Sequence, residues 1–281
     1  MQQTKFVLPR GETAAVFIVD AQKDFMDMTP TADFTPALPV EGACEDMERL
    51  AAVITAQRRN ISEIMVTMDS HNVIDVGHPS MWIGKDGKHP APYTIITLQD
   101  LENGTWRCRH PGYAKHFLKY AEYLEQTKQY AIIVWPQHCV PGTTGHNLYP
   151  AIHQAISAWE IERFATVTRI VKGTNPLVES FSAFEAAMPM GNDPSTHLDS
   201  DLIVKLFGTY NRVFIGGEAL SHCVNYTMTS VFNNLPADIL PNLYLITDCM
   251  SNVPGFEAQG QAFLDDAKNR GVNLVTSDFF L

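Results

Sequence analysis

Apolar residues along this chain fall into short dense runs separated by stretches of mixed polarity. The run Ala14-Ala-Val-Phe-Ile-Val19 is unbroken and stops at Asp20. Such a continuous run, without polar alternation, predicts a strand buried on both faces. Ile64-Met-Val-Thr-Met68 repeats the pattern and stops at Asp69. Further β-rich runs are Ala131-Ile-Ile-Val134, Val167-Thr-Arg-Ile-Val171, Val213-Phe-Ile215, Leu243-Tyr-Leu-Ile246 and Val272-Asn-Leu-Val275. Helical spacing lies between most of them. Over 44–59, Met47, Leu50, Ala51 and Ile54 share one face, with Asn60 to close the end; over 256–270, Phe256, Phe263 and Ala267 line one side and Gly271 stops the helix. Strands alternating with helices predict an α/β protein of three layers, α/β/α, with a central, mostly parallel sheet.

Ligands of open α/β sheets sit beyond the carboxyl ends of the strands. Asp20, Asp69, Lys172 and Cys223 all fall at or just after a predicted strand end, so four reactive side chains converge on one sheet edge. Cys223 sits in Val213-Phe-Ile-Gly-Gly-Glu-Ala-Leu-Ser-His-Cys223-Val, a strand running into a small-residue turn and then a helix. The start of a helix favours thiolate over thiol and can hold an oxyanion. A cysteine there can equally be a small buried apolar residue. An ammonium at Lys172 would lower the thiol pKa, and a carboxylate at Asp20 could take the thiol proton and pass it to a leaving amine. A second cluster is Asp69-Ser-His71, which sets a carboxylate and an imidazole on one side of an extended segment. One more imidazole would complete a two-histidine, one-carboxylate metal site with open positions.

Composition narrows the choice. The chain has 281 residues, 45% apolar and 18% charged, enough for one large α/β domain. Its net charge of −11 argues against nucleic acid or an anionic membrane as the main partner. The segment Met1–Arg10 lacks the apolar core of a signal peptide, and no run of about 18 apolar residues occurs, so a cytoplasmic protein is expected. Five cysteines without C-x-x-C spacing suit reduced thiols better than a disulfide framework.

These motifs together resemble the isochorismatase-like cysteine hydrolases, and among them the nicotinamidase branch. Val19-Asp20-Ala-Gln22-Lys-Asp24-Phe25 is similar to the family's opening motif, Asp69-Ser-His71 to its first metal motif and Trp135-Pro-Gln-His138-Cys-Val-Pro-Gly142-Thr to its second. Val171-Lys172-Gly with Ser182-Ala-Phe184-Glu185 resembles the lysine segment, and Gly217-Glu-Ala219-Leu-Ser-His-Cys223-Val the nucleophile segment. The resemblance implies a Cys223, Asp20 and Lys172 triad, and a divalent metal, zinc foremost with iron or manganese as alternatives, held by Asp69, His71 and His138. It implies an oxyanion hole of the Ala219 and Cys223 backbone N–H groups, with a cis peptide before Ala219. The implied reaction is hydrolysis of nicotinamide, a small aromatic amide, to nicotinate and ammonia through a thioester, as in pyridine nucleotide salvage. Phe25 and Trp135 match positions that flank the substrate ring, and Phe181 stands where many members have a pocket tyrosine.

Two departures shape the expectations. Residues 79–130 separate the two metal motifs far more widely than is usual in the family, with a charged Pro- and Gly-containing segment from Pro79 to Pro111 and a predicted helix from Gly112 to Tyr130. The insertion is expected to be a lid or an oligomer contact on a single hydrolase domain, and a homo-oligomer is expected. His78, His89 and His110 then compete as ligands, His78 being the chief rival to His138. Two other functions remain open: a related amidohydrolase acting on an N-carbamoyl, ureido or other small amide, and a non-catalytic binding protein of the same fold.

Overall fold

The computed structural model describes residues 6–281; residues 1–5, the start of the segment in which no signal-peptide core was found, lie outside the described residues. In chain order the elements are β1 (Ala14–Val19), α1 (Ala43–Gln57), β2 (Ile61–Asp69), β3 (Trp82–Gly84), β4 (Ile95–Ile96), α2 (Leu98–Glu102), β5 (Trp106–Cys108), α3 (Ala114–Gln126) and β6 (Ile132–Ile133). They continue as α4 (Pro150–Arg163), β7 (Thr168–Lys172), α5 (Ser200–Phe207), β8 (Arg212–Gly217), α6 (Asn225–Asn234), β9 (Leu243–Ile246), α7 (Glu257–Asn269) and β10 (Asn273–Val275).

Six strands form the central sheet in the order β10-β9-β8-β1-β2-β7, and every neighbouring pair is parallel. The alternation of β1 shows why its apolar run has no polar gaps. Ala14, Val16 and Ile18 face a core that includes Met47, Leu50 and Ile54 of α1 and Ile152, Ile156 and Trp159 of α4. Ala15, Phe17 and Val19 face the opposite core, with Ile203 and Phe207 of α5, Met228 and Val231 of α6 and Phe263 of α7. Both faces are covered, so both halves of the strand must be apolar. The expected three-layer α/β/α architecture is therefore present.

The run at 131–134 behaves differently from the expectation that it belongs among the parallel strands. Only Ile132–Ile133 is strand, and it pairs antiparallel with β4 in a separate two-stranded sheet. Both partners belong to the region around the insertion, where β3 and β5 form another antiparallel pair. The predicted helix at 112–130 is present as α3, with a short 3-10 turn at Pro111–Tyr113 before it. Thr97 and Asp100 cap α2 reciprocally, Thr97 Oγ1 accepting from Asp100 N at 3.1 Å and Asp100 Oδ2 accepting from Thr97 N at 3.0 Å. The insertion buries a core of its own around Trp82, Phe117, Tyr120 and Leu124, which continues into Val134 and Val178 of the flanking chain. It is tied to the sheet-edge loops by His116 Nε2, which donates to Leu177 O at 2.8 Å, and by Tyr120 Oη, which accepts from Glu179 N at 3.1 Å.

Trp159 shows how tightly the layers are coupled. It is fully buried, and its indole N–H donates to Ile61 O at the start of β2 at 3.1 Å. Trp159→Ala is expected to lower unfolding free energy by about 3–5 kcal/mol in urea denaturation, because it opens a cavity and leaves that carbonyl unpaired.

Candidate active site

The carboxyl ends of β1, β2, β7 and β8 meet where the sheet rises to its loops. Two glycines make the approach close enough. Gly217, at φ +130°, has Val19 O only 2.0 Å from where a Cβ would stand, so the end of β8 lies directly against the end of β1. Gly173, at φ +75°, turns the chain straight after Lys172, and a Cβ there would meet Asp69 Oδ1 at 2.8 Å. Asp20 itself takes a left-handed backbone, φ +41°, uncommon for a residue with a side chain and here held at the reactive edge.

Lys172 is the hub. Its Nζ lies 3.0 Å from Asp20 Oδ2, 3.0 Å from Asp69 Oδ1 and 3.5 Å from Cys223 Sγ, and it donates to Ser180 O at 3.1 Å. All four side chains are buried, between 0% and 7% exposed. Burial alone would drive the ammonium toward neutrality, but the carboxylates of Asp20 and Asp69 hold its pKa well above the usual lysine range. Burial likewise opposes the charge on Asp69, yet His71 and Lys172 keep its carboxyl well below the usual range. Asp20 goes the other way: burial raises its proton affinity, with Lys172 opposing. Thr67 Oγ1 donates to Asp20 Oδ1 at 2.5 Å, while Asp20 Oδ2 is paired with Lys172 Nζ at 3.0 Å. Burial also pushes the Cys223 thiol well up, with Lys172 partly offsetting it.

Cys223 is carried on Leu220–Val224, a single π-helical turn ahead of α6, where Val224 N–H donates to Ala219 O at 3.1 Å. Sequence pattern predicts a plain helix start at this point; the wider turn is a feature of the tertiary structure. The Glu218–Ala219 peptide is cis, as the resemblance implied. The Ala219 N–H finds no acceptor among the described residues.

Asp69, His71 and His138 come together with their ligand atoms all within 4.8 Å of one another. His71 Nε2 lies 3.1 Å, and His138 Nε2 3.6 Å, from Asp69 Oδ2. His138 Nδ1 donates to Pro136 O at 2.8 Å, leaving Nε2 as the free ligand atom. His71 Nδ1 lies 3.3 Å from the buried carboxylate of Asp75. A ligating histidine whose other nitrogen faces a carboxylate is the usual arrangement around a divalent cation, so the donor set fits one. His78 is also buried here, but both of its ring nitrogens are engaged: Nδ1 with Asn72 O at 2.9 Å and Nε2 with the His138 N–H at 3.4 Å. His89 is tied to Trp82 O at 2.7 Å and His110 accepts from Gly112 N at 3.2 Å, so neither joins the group.

A cavity with about 410 Å³ of empty volume opens onto both clusters. Phe25, Trp135 and Phe181 line it together with Ala219 and Cys223. Several residues there escaped sequence reasoning. Gln22 clamps the backbone of Asp69, accepting from its N–H at 2.7 Å and donating to its O at 2.8 Å. Asp24 Oδ2 accepts from Cys139 N at 2.7 Å and so fixes the loop that presents His138. Asp75, Glu179 and His222 carry no spacing signal except that Asp75 follows His71 by four positions.

The sheet order and the residues at its edge define an α/β protein of isochorismatase-like fold. In sequence, the chain is 33% identical over 94 residues to the nicotinamidase of Escherichia coli (strain K12). That match covers 34% of this chain and spans only 37% of the curated relative's length. No protein-family model matches. Among solved structures, the yeast nicotinamidase Pnc1p bound to the inhibitor nicotinaldehyde superposes with a TM-score of 0.61 at 20% identity, covering 94% of this chain and 100% of that one. The pyrazinamidase of Pyrococcus horikoshii in complex with zinc gives a TM-score of 0.52 at 19% identity, covering 94% and 98%. The fold is thus that of the nicotinamidase and pyrazinamidase structures. Among the described residues no helix is long and apolar enough to cross a membrane.

Burial pushes the imidazoles of His78 and His222 down to about 4, His78 aided by the neighbouring His138 and His71. At these two histidines the native state therefore binds fewer protons than the unfolded chain between about pH 6.5 and 4. Their contribution to stability is expected to be fully present above that window and to be lost as pH drops through it. Denaturation at pH 7, 5.5 and 4 should show His222→Phe losing less than the wild type by up to about 3 kcal/mol.

Proposed function

We propose that this chain is a metal-dependent cysteine amidohydrolase that converts nicotinamide to nicotinate and ammonia in the cytoplasm, as a step of pyridine nucleotide salvage. The observation that carries it is the meeting of Cys223, Lys172 and Asp20 with the Asp69–His71–His138 donor set around one aromatic-lined cavity. Support comes from the sequence likeness to a nicotinamidase and from the nicotinaldehyde and zinc bound by structures of the same fold.

In the resting site the thiol keeps its proton, since burial outweighs the pull of Lys172. Asp20, raised in proton affinity by burial and paired with Lys172, takes the Sγ proton as sulfur bonds to the carboxamide carbon. Lys172 stabilises the thiolate as it forms and holds Asp20 in register. The tetrahedral oxyanion falls to the Ala219 and Cys223 N–H groups, worth roughly 3 kcal/mol each in comparable sites. Asp20 returns the proton to nitrogen, the C–N bond breaks and ammonia leaves. A water then gives its proton to Asp20 and attacks the thioester carbonyl; the C–S bond breaks, Asp20 returns the proton to Sγ, and the nicotinic acid formed loses its own proton to solvent as nicotinate.

Asp69, His71 and His138 would hold the divalent cation, zinc foremost, which supplies a Lewis-acid anchor for a ring nitrogen. Phe25, Trp135 and Phe181 would stack on or flank the ring. An N-carbamoyl or ureido substrate would leave the paired histidines without a role. We assign residues 79–130 to the same single hydrolase domain, where Tyr120 and His116 hold the segment that brings Glu179 and Phe181 to the cavity.

Metal-loaded, reduced protein should release ammonia from nicotinamide, and Cys223→Ala should lower that rate by roughly 10⁴-fold or more; no ammonia from the wild type under these conditions would sink the proposal. Asp75→Ala is expected to weaken zinc binding by about 10–100-fold, measured by competition with a chromogenic chelator. An unchanged affinity would remove Asp75 from the metal site.

A further inference from the structure

Glu218 follows the last residue of β8 directly and is completely buried, yet the steps above give it no task. Its Oε2 accepts from Ser251 N at 3.2 Å, and its Oε1 has no hydrogen-bond partner among the described residues. A carboxylate so poorly solvated is costly to bury, and an apolar side chain would fill the same space at less cost.

Asp46, in the first turn of α1, supplies what Oε1 lacks. It is also buried, and Ser251 holds both acids at once, with its N–H on Glu218 and its hydroxyl on Asp46 Oδ2 at 2.5 Å. Two carboxyl groups brought together in this way favour one shared proton over two charges. The other partners decide where it sits. Asp46 Oδ1 is paired with Arg49 Nη2 at 2.6 Å while Oδ2 takes the Ser251 hydroxyl, so Asp46 is the better satisfied as a carboxylate. Glu218 keeps the proton, on Oε1, since Oε2 is occupied as an acceptor. Burial foremost, and then the charge of Asp46, push the Glu218 carboxyl well above the usual range, and Asp46 stands within hydrogen-bonding reach of it.

The other charged or titratable groups around the pair are Asp27 ahead of α1, Arg49 of α1, and Asp248 and Cys249 after β9. Asp27 accepts from the N–H groups of Gly42 and Cys44, and Asp248 from Ser277, so neither competes for the proton. From β1 only a carbonyl arrives, Val19 O, which accepts from Glu218 N at 2.9 Å. On either side of Ala219 the backbone is tied to the same loop as Ser251: Gly217 N donates to Cys249 O at 2.9 Å and Leu220 N to Ser251 O at 2.8 Å. Ala219 O in turn accepts from His222 N and Val224 N at 3.0 and 3.1 Å, within the turn that carries Cys223. The Glu218 side chain therefore joins α1 to the backbone on which the nucleophile segment hangs.

We propose that Glu218 is a positioning residue: its carboxyl donates a hydrogen bond to Asp46, clamps the turn bearing Ala219 and Cys223 to α1, and releases that clamp when it ionises at alkaline pH. The proposal rests on the amidohydrolase activity set out above and adds a residue that sets the geometry of its nucleophile.

An infrared difference spectrum of the full chain against its Glu218→Gln variant at neutral pH should contain the carbonyl stretch of a protonated carboxyl; absence of that band overturns the proposal. With nicotinamide as substrate, Glu218→Ala should lower kcat about tenfold and move KM by less than about twofold, and Glu218→Gln, whose amide keeps a donor toward Asp46, should recover most of the loss. The glutamine cannot ionise, so the fall of wild-type kcat between about pH 7 and about pH 10 should move to higher pH in this variant. An unmoved or absent alkaline fall, or a kcat that glutamine does not restore, overturns the proposal. If no amide is hydrolysed, the proposed activity fails separately, and amide hydrogen exchange over 217–224 still decides the clamp. Exchange about tenfold faster in Glu218→Ala and restored in Glu218→Gln supports it, and equal exchange in all three proteins overturns it.

Discussion

Lys172 carries a positive charge into a place that water barely reaches, between the carboxylates of Asp20 and Asp69 and beside the thiol of Cys223. Each of these groups would be costly to bury charged and alone. Together they fix one another. Together with His71 the ammonium keeps Asp69 ionised, and it opposes the burial that raises Asp20 and Cys223. Because Lys172 touches both Cys223 and Asp69 of the Asp69–His71–His138 group, the two clusters cannot be positioned independently. The close approach of β8 to β1 at Gly217, and the turn at Gly173, are the backbone conditions that let this charge be shared.

Around that hub the chain adds a shell that holds direction. Gln22 pairs with the backbone of Asp69 as an extra strand would, and Asp24 holds the loop bearing His138. The insertion contributes from the other side. Its helix α3 ties down Leu177 and Glu179, and the segment between Lys172 and Phe181 is thereby held as one wall of the cavity. A long insertion between two ligand motifs is tolerated because loop closure grows only slowly with length, and here it also brings its own apolar core.

Much of this was legible in the sequence, for a physical reason. Strands buried on both faces must be apolar throughout, so β1, β2 and β8 stand out as runs, and the first reactive residue after each run marks the ligand edge. Asp20 and Asp69 stand at those ends, whereas Lys172 closes the mixed run at 167–171 and Cys223 lies beyond the turn that follows β8. The short run at 131–134 misled because two apolar residues satisfy a two-stranded antiparallel pair as well as a parallel sheet, and only the position of β4 decides between them.

By itself the sequence determined the layered α/β architecture, the edge at which chemistry gathers and the side chains that compete for it, since periodicity and strand ends are local properties. The tertiary structure decided what depends on distance. Of the rival histidines it joined His138 to Asp69 and His71, while both nitrogens of His78 were drawn to backbone atoms. It set Asp75 behind His71, placed Cys223 on a π turn, and left one nitrogen of His222 without a partner among the described residues. None of these follows from spacing, because each depends on atoms brought together from segments far apart in the chain or on the hydrogen bonds that a buried group fails to find.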